Sequence, residues 1–139
     1  MLKIFLSALF SAGLIAGYTQ CKCANTPAEN RWGQVELQLN RTGPVRKVSC
    51  GFQMSATCRD TVWVRGGAYN CIGPCMATYR ARLTRGSTLV RTYEPFSFTT
   101  SLVSFATAGS YKLEILPMCN NELCKTCSFY FTVSGAGCL

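Results

Sequence analysis

The sequence predicts an all-β, two-layer sandwich stapled by disulfides, and three observations carry that expectation. Hydrophobic residues recur with period two along most of the mature chain. Turn residues separate these runs at short intervals, as in sandwiches and barrels. Ten cysteines stand in a chain of 139 residues whose N-terminus reads as an export signal.

The N-terminal run supports export. One early positive charge, Lys3, precedes an apolar stretch from Ile4 to Ala16 broken only by small residues, which is the pattern of a secretory signal peptide. The run is shorter than the roughly 20 apolar residues of a spanning helix, so no membrane span is expected after cleavage. Residues 1–20 are expected to leave, with the cut between Ala16 and Gln20. Tyr18-Thr19-Gln20 ahead of Cys21 lacks the small residues of a lipidation site. The remaining 21–139 suit one domain, because no Pro/Ser linker divides them.

The strands follow in order. Val35, Leu37 and Leu39 alternate with Gln34, Glu36 and Gln38, giving one apolar and one wet face. Asn40 to Pro44 turns the chain, and Val45–Ser55 and Thr61–Val64 are the next candidates. Met76 to Glu94 reads as a hairpin turning at Arg85-Gly86-Ser87, with Ala77, Tyr79, Ala81 and Leu83 on its inner face. Pro95–Phe98 and Leu102–Phe105 are short pieces suited to an edge or crossover, since proline donates no ladder hydrogen bond. Tyr111, Leu113 and Ile115, then Phe129, Phe131 and Val133, supply the inner faces of the last two strands. Seven to eight antiparallel strands result.

Ala108-Gly-Ser-Tyr111-Lys-Leu113-Glu-Ile115 resembles the penultimate strand of immunoglobulin-like sandwiches of the PKD and fibronectin type. The cysteine group after it, followed by Phe129-Tyr-Phe-Thr-Val133, is similar to modules of secreted bacterial surface proteins. The resemblance spans Cys71 to Val133. It implies an immunoglobulin-like domain over 21–139 and a structural corner at Tyr111, whose hydroxyl should bond the chain behind it. The Trp-x-Phe-Gly-Asp-Gly signature of PKD domains and the Cys…Trp…Cys spacing of antibody domains are absent.

Cys21, Cys23, Cys50, Cys58, Cys71, Cys75, Cys119, Cys124, Cys127 and Cys138 are all disulfide candidates. Cys119-x4-Cys124-x2-Cys127 also has the spacing of iron-sulfur ligands, and with Cys71 and Cys75 it offers a zinc thiolate set. Both conflict with an oxidising compartment. A redox Cys124-Lys-Thr-Cys127 needs a following helix to lower the thiol pKa, but an alternating strand follows. Staples are therefore expected, with no cofactor. Ten cysteines allow on the order of nine hundred pairings. The expectation is that Cys71 and Cys75 share one end of the sandwich with Cys119, Cys124 and Cys127, and that Cys138 ties the tail to Cys21 or Cys23.

The chain has no histidine, which removes Ser-His-Asp and Cys-His catalysis and every histidine metal site. Acid/base chemistry by paired carboxylates would have to use Glu29, Glu36, Asp60, Glu94, Glu114 or Glu122, and Glu36 and Glu114 alternate outward as solvated surface. A non-enzyme is expected. Fourteen Lys and Arg against six Asp and Glu give a charge of +8, which suits an anionic glycan or an extracellular protein as partner. Arg80, Arg82 and Arg91 are expected on one outward hairpin face with Arg85 at its tip, a candidate polyanion strip. Without aromatic interleaving there, nucleic acid is disfavoured. Trp63, between Val62 and Val64, is read as core rather than as a sugar platform. Asn40-Arg-Thr42 fits the glycosylation acceptor pattern. A secreted adhesion, binding or assembly module is the resulting expectation. The alternative is a cysteine-rich inhibitor or effector presenting a loop such as Gly66–Pro74.

Overall fold

A computed structural model of the protein describes residues 21–23, 32–99 and 101–138; the expected signal peptide and Glu29 lie outside the described residues. Ten strands form there: β1 (Val35–Leu39), β2 (Val45–Val48), β3 (Gln53–Thr57), β4 (Thr61–Arg65), β5 (Thr78–Arg85), β6 (Thr88–Tyr93), β7 (Ser101–Ser104), β8 (Gly109–Cys119), β9 (Glu122–Leu123) and β10 (Cys127–Ser134). One sheet has the order β2-β1-β4-β7. The other runs β3-β10-β8-β5-β6, with the short β9 added to β8.

Alternation decides which residues face inward. In β8, Tyr111, Leu113 and Ile115 are buried between less buried neighbours, and in β10 Phe129, Phe131 and Val133 repeat the pattern. Val35, Leu37, Val62, Val64 and Val103 answer from the first sheet. Each buried aliphatic or aromatic side chain of this kind contributes roughly 1.5–3 kcal/mol relative to exposure. Aromatic rings close the two ends of the core. Trp32 lies 5.6 Å from Tyr69 and 6.0 Å from Phe98 by ring centroid, while Phe105 lies 4.9 Å from Tyr111 and 5.4 Å from Phe131.

The structure departs from the expected strands in four places. Ten strands form among the described residues where seven to eight were expected, the short β9 being one addition. Val45–Ser55 is two strands in two sheets, because the chain turns at Gly51 with φ of 92°, a value that favours glycine. That crossing brings β3 beside β10 in the same direction, so their pairing is parallel rather than antiparallel. Pro95–Phe98 forms no strand, although Phe96 and Phe98 are buried.

All ten cysteines form five disulfides: Cys21–Cys75, Cys23–Cys124, Cys50–Cys127, Cys58–Cys138 and Cys71–Cys119. Their Cα separations run from 5.0 to 5.9 Å, within the normal span of such bridges. Cys124 and Cys127 bond to different partners, not to each other. Cys71 and Cys75 do meet Cys119 and Cys124 at one end, but Cys127 lies with the other group. Cys138 bonds Cys58, not Cys21 or Cys23, and the parallel pair explains it. Two parallel strands start together and end together, so Cys50–Cys127 clamps the starts of β3 and β10 and Cys58–Cys138 clamps their ends.

Candidate functional site

The hairpin strip does not assemble as the sequence suggests. Arg80 Nε lies 3.0 Å from Glu94 Oε1, Arg82 is bonded to Glu114, and Lys112 Nζ lies 3.3 Å from the other oxygen of Glu114. Arg85 bonds the Thr107 hydroxyl. Desolvation pushes the Glu114 carboxyl up, but the bonds from Arg82 and Lys112 outweigh it and leave the pKa lowered. Arg91 is on the other face. The register between β5 and β6 shifts after Leu83, where Val90 forms a bulge, so Arg91 pairs with Leu83 and stacks 4.6 Å over the Tyr93 ring. A strip in which Arg80 and Arg82 are each paired with a carboxylate, and which lacks one of its members, is a poor trap for polyanions.

The outer face of the four-stranded sheet is different. Val62 and Val64 take the inner positions of β4, which turns Trp63 outward and corrects its assignment to the core. Pairing places Val45, Gln38, Trp63 and Leu102 in one row across β2, β1, β4 and β7, with Lys47, Glu36 and Arg65 in the next. Gln38 fixes this surface. Its amide nitrogen donates to the carbonyls of Arg41 and Gly43 at 3.2 and 3.0 Å, and its oxygen accepts from Arg65 at 3.0 Å.

Arg41, exposed on the β1–β2 turn, sets its guanidinium 5.2 Å from the Trp63 ring centroid. Gln38, Arg41, Trp63, Arg65 and Thr99 enclose a shallow cleft of about 330 Å³. The Trp63 Nε1 is buried and finds no acceptor among the described residues. No carboxylate lies within 4.0 Å of Arg41, Lys47 or Arg65 among the described residues, in contrast to the hairpin.

Comparison with protein-family models, with curated proteins and with solved structures finds no match to this chain. The site therefore rests on its own geometry.

The other candidates resolve into structure. Tyr111 is buried, and its hydroxyl donates to the Thr107 carbonyl at 2.7 Å. Trp32 is core, with its indole nitrogen donating to the Lys125 carbonyl at 2.8 Å. Asn40 sits in the left-handed region at φ of 57°, donates to Asp60 at 2.9 Å and accepts from the Thr61 amide at 3.0 Å. The sequon is thus a turn lock with its amide nitrogen engaged. The Asn40 bond, partly opposed by desolvation, holds the Asp60 carboxyl below its ordinary range with help from Thr57.

A second cleft, about 550 Å³, lies at the seam between the free edges of β2 and β3, with Leu37, Leu39 and Met54 below Arg46. Pro44, Arg46 and Lys47 on that edge are devices that discourage strand addition. At the disulfide-rich end, Met76 is 92% exposed next to Cys75.

Proposed function

We propose that the protein is an exported, non-catalytic immunoglobulin-like module that binds an extracellular partner through the outer face of its four-stranded sheet. The cluster of cations without carboxylate partners around the outward Trp63 carries the binding assignment. Five disulfides support an oxidising, extracytoplasmic setting. The order β10-β8-β5-β6 follows G-F-C-C′ of variable-type immunoglobulin domains and β1-β4-β7 follows A-B-E, with β2 and β3 as additions. The Tyr111 hydroxyl reaching back to Thr107 matches the corner at the start of strand F.

The test is retention of fluorescently labelled, unreduced protein on the outer surface of the producing cells. The Trp63→Ala/Arg65→Ser variant should lose retention, and Arg80→Ser/Arg82→Ser should keep it. The opposite pattern removes the sheet face from the proposal. Intact mass of the secreted protein, expected without residues 1–20 and ten mass units below the reduced chain (about 1 unit for each thiol hydrogen lost), checks export and bridging together.

Met76 favours a second reading, an inhibitor or effector. A methionine held almost fully exposed beside a disulfide is a preorganised apolar anchor for a partner's pocket. Under that reading a Met76→Ser variant loses inhibition of an extracellular hydrolase, while the Trp63 variant retains it.

A further inference from the structure

We infer that the Gln38, Arg41, Trp63 and Arg65 cleft is a site for an acidic saccharide, in which a sugar ring stacks on Trp63 and its sulfate or carboxylate is held by Arg65 and Arg41. This rests on the sheet-face reading above and names its ligand class. The cleft combines three properties. Its centre is a half-buried outward indole, an apolar plate that fits the C–H face of a pyranose. Its two flanks are guanidinium groups, whose planar forks match the oxygens of sulfate and carboxylate. Its plate carries a buried N–H without an acceptor among the described residues, a donor in the ring plane that an acid oxygen reaching past the ring edge satisfies.

The two arginines are held differently, and the difference assigns their roles. Arg65 is braced on the rigid strand β4 by the Gln38 oxygen at 3.0 Å, so its fork is preorganised. Arg41 projects from the β1–β2 turn and is held at its side-chain end by the stack on Trp63 at 5.2 Å. Such an exposed cation–π contact is weak. A sugar displaces Arg41 from the ring face, and the freed guanidinium closes on the ligand's acid group. Gln38 anchors the Arg41 carbonyl throughout, which keeps the turn in place while the side chain moves. A neutral sugar lacks the acid group that repays this displacement. A nucleic acid strand needs successive aromatic platforms, and this face offers one.

Titration calorimetry and tryptophan fluorescence on the unreduced protein test the proposal with three probes of equal length: a sulfated heparin oligosaccharide, an oligogalacturonate, and an uncharged galactose oligosaccharide. Trp32 is buried and bonded to Lys125, so the fluorescence response should come from Trp63 and vanish in Trp63→Phe. A sulfated or uronate probe should bind, and because heparin carries both acid groups, binding of heparin without binding of the oligogalacturonate marks sulfate recognition; the uncharged probe should bind at least tenfold more weakly. Trp63→Ala and Arg65→Ser should each weaken the acid probe about tenfold, the scale of one charge-assisted or stacking contact. Arg80→Ser/Arg82→Ser should leave it unchanged, and near-ultraviolet circular dichroism verifies folding of each variant.

Equal binding of the uncharged probe overturns the acid assignment. Insensitivity to Trp63→Ala, or equal sensitivity to loss of Arg80 and Arg82, reduces the interaction to diffuse charge attraction and overturns the site. Cell-surface retention that depends on Trp63 yet survives digestion of surface polysaccharides overturns this inference and leaves the binding-face reading standing.

Discussion

Removing Cys71–Cys119 by paired alanine substitution should destabilise the protein by less than its 48-residue chain separation suggests. Connectivity is the reason. Cys21–Cys75, Cys71–Cys119 and Cys23–Cys124 close a ring, because the short chain segments 21–23, 71–75 and 119–124 link one bridge to the next. With Cys71–Cys119 gone, its ends are still joined through the other two bridges by about 11 residues of chain. Loop-closure entropy for about 11 residues is ~2.8 kcal/mol, against ~4.1 kcal/mol for an independent loop of about 48.

Removing Cys23–Cys124 first opens the ring. The shortest remaining path between 71 and 119 then runs through Cys50–Cys127 and spans about 29 residues, so the same substitution costs ~3.6 kcal/mol. The two bridges are thus coupled by ~0.9 kcal/mol, each being worth more when the other is absent. The two bridges also touch, with the sulfurs of Cys23, Cys119 and Cys124 within 4.8 Å of one another, so the same cycle measured after reduction of all bridges gives the packing part to be subtracted. Equilibrium unfolding of the four unreduced proteins in guanidinium chloride, with midpoints and slopes fitted separately, measures the coupling. A coupling of zero refutes the ring argument, and so does a first removal that costs more than the second.

Phe129 is fully buried in β10, and Phe129→Ala should lower stability by about 3–5 kcal/mol in the same unfolding assay. Tyr111→Phe leaves the Thr107 carbonyl without its bond and should cost about 1 kcal/mol, whereas an exposed tyrosine such as Tyr130 should tolerate phenylalanine. The folded pKa of Asp60 lies below its ordinary value of 3.8, so its contribution is complete above that value and is lost as pH falls through the lower folded value. Asn40→Ala removes the largest cause and should flatten the acid limb of a stability profile taken between about pH 2 and 5. The sulfurs of Cys21, Cys71 and Cys75 lie within 4.8 Å of one another, as do those of Cys23, Cys119 and Cys124. In Cys75→Ser the Cys21 thiolate should therefore attack Cys71, form Cys21–Cys71 and release Cys119 as the thiol. Alkylation mapping that finds the free thiol only at Cys21 defeats this.

The all-β class was legible because alternation is local. Tyr111, Leu113 and Ile115 in β8 and Phe129, Phe131 and Val133 in β10 alternate without interruption, and the inner face they define is the one observed. The same rule, applied strictly, turns Trp63 outward, since Val62 and Val64 cannot both face inward unless the residue between them faces out. Its flanking valines suggested core, and the period sets the residue between them on the opposite face. Arg91 was not legible. Its face depends on the bulge at Val90, a one-residue register shift produced by the pairing of two strands rather than by either sequence. Cys138 failed for a related reason: its partner follows from the parallel alignment of β3 with β10, a contact between segments about 77 residues apart.

Register decides where a cation on this molecule meets a carboxylate. On the six-stranded sheet, pairing sets Arg82 directly across from Glu114, so cation and anion meet and cancel. On the four-stranded sheet, the pairing row through Lys47, Glu36 and Arg65 contains two cations and one carboxylate, and Arg41 adds a third positive group above Trp63. A net charge of +8 would be uninformative about a partner if it were spread evenly, since solubility alone accounts for an even spread. Three cations without a carboxylate partner among the described residues, Arg41, Lys47 and Arg65, share that face with one outward indole, which suits it to an anion that also offers a stacking surface. Exchanging Arg65 for Glu should therefore change binding far more than exchanging Arg82 for Glu, although each alters the net charge equally.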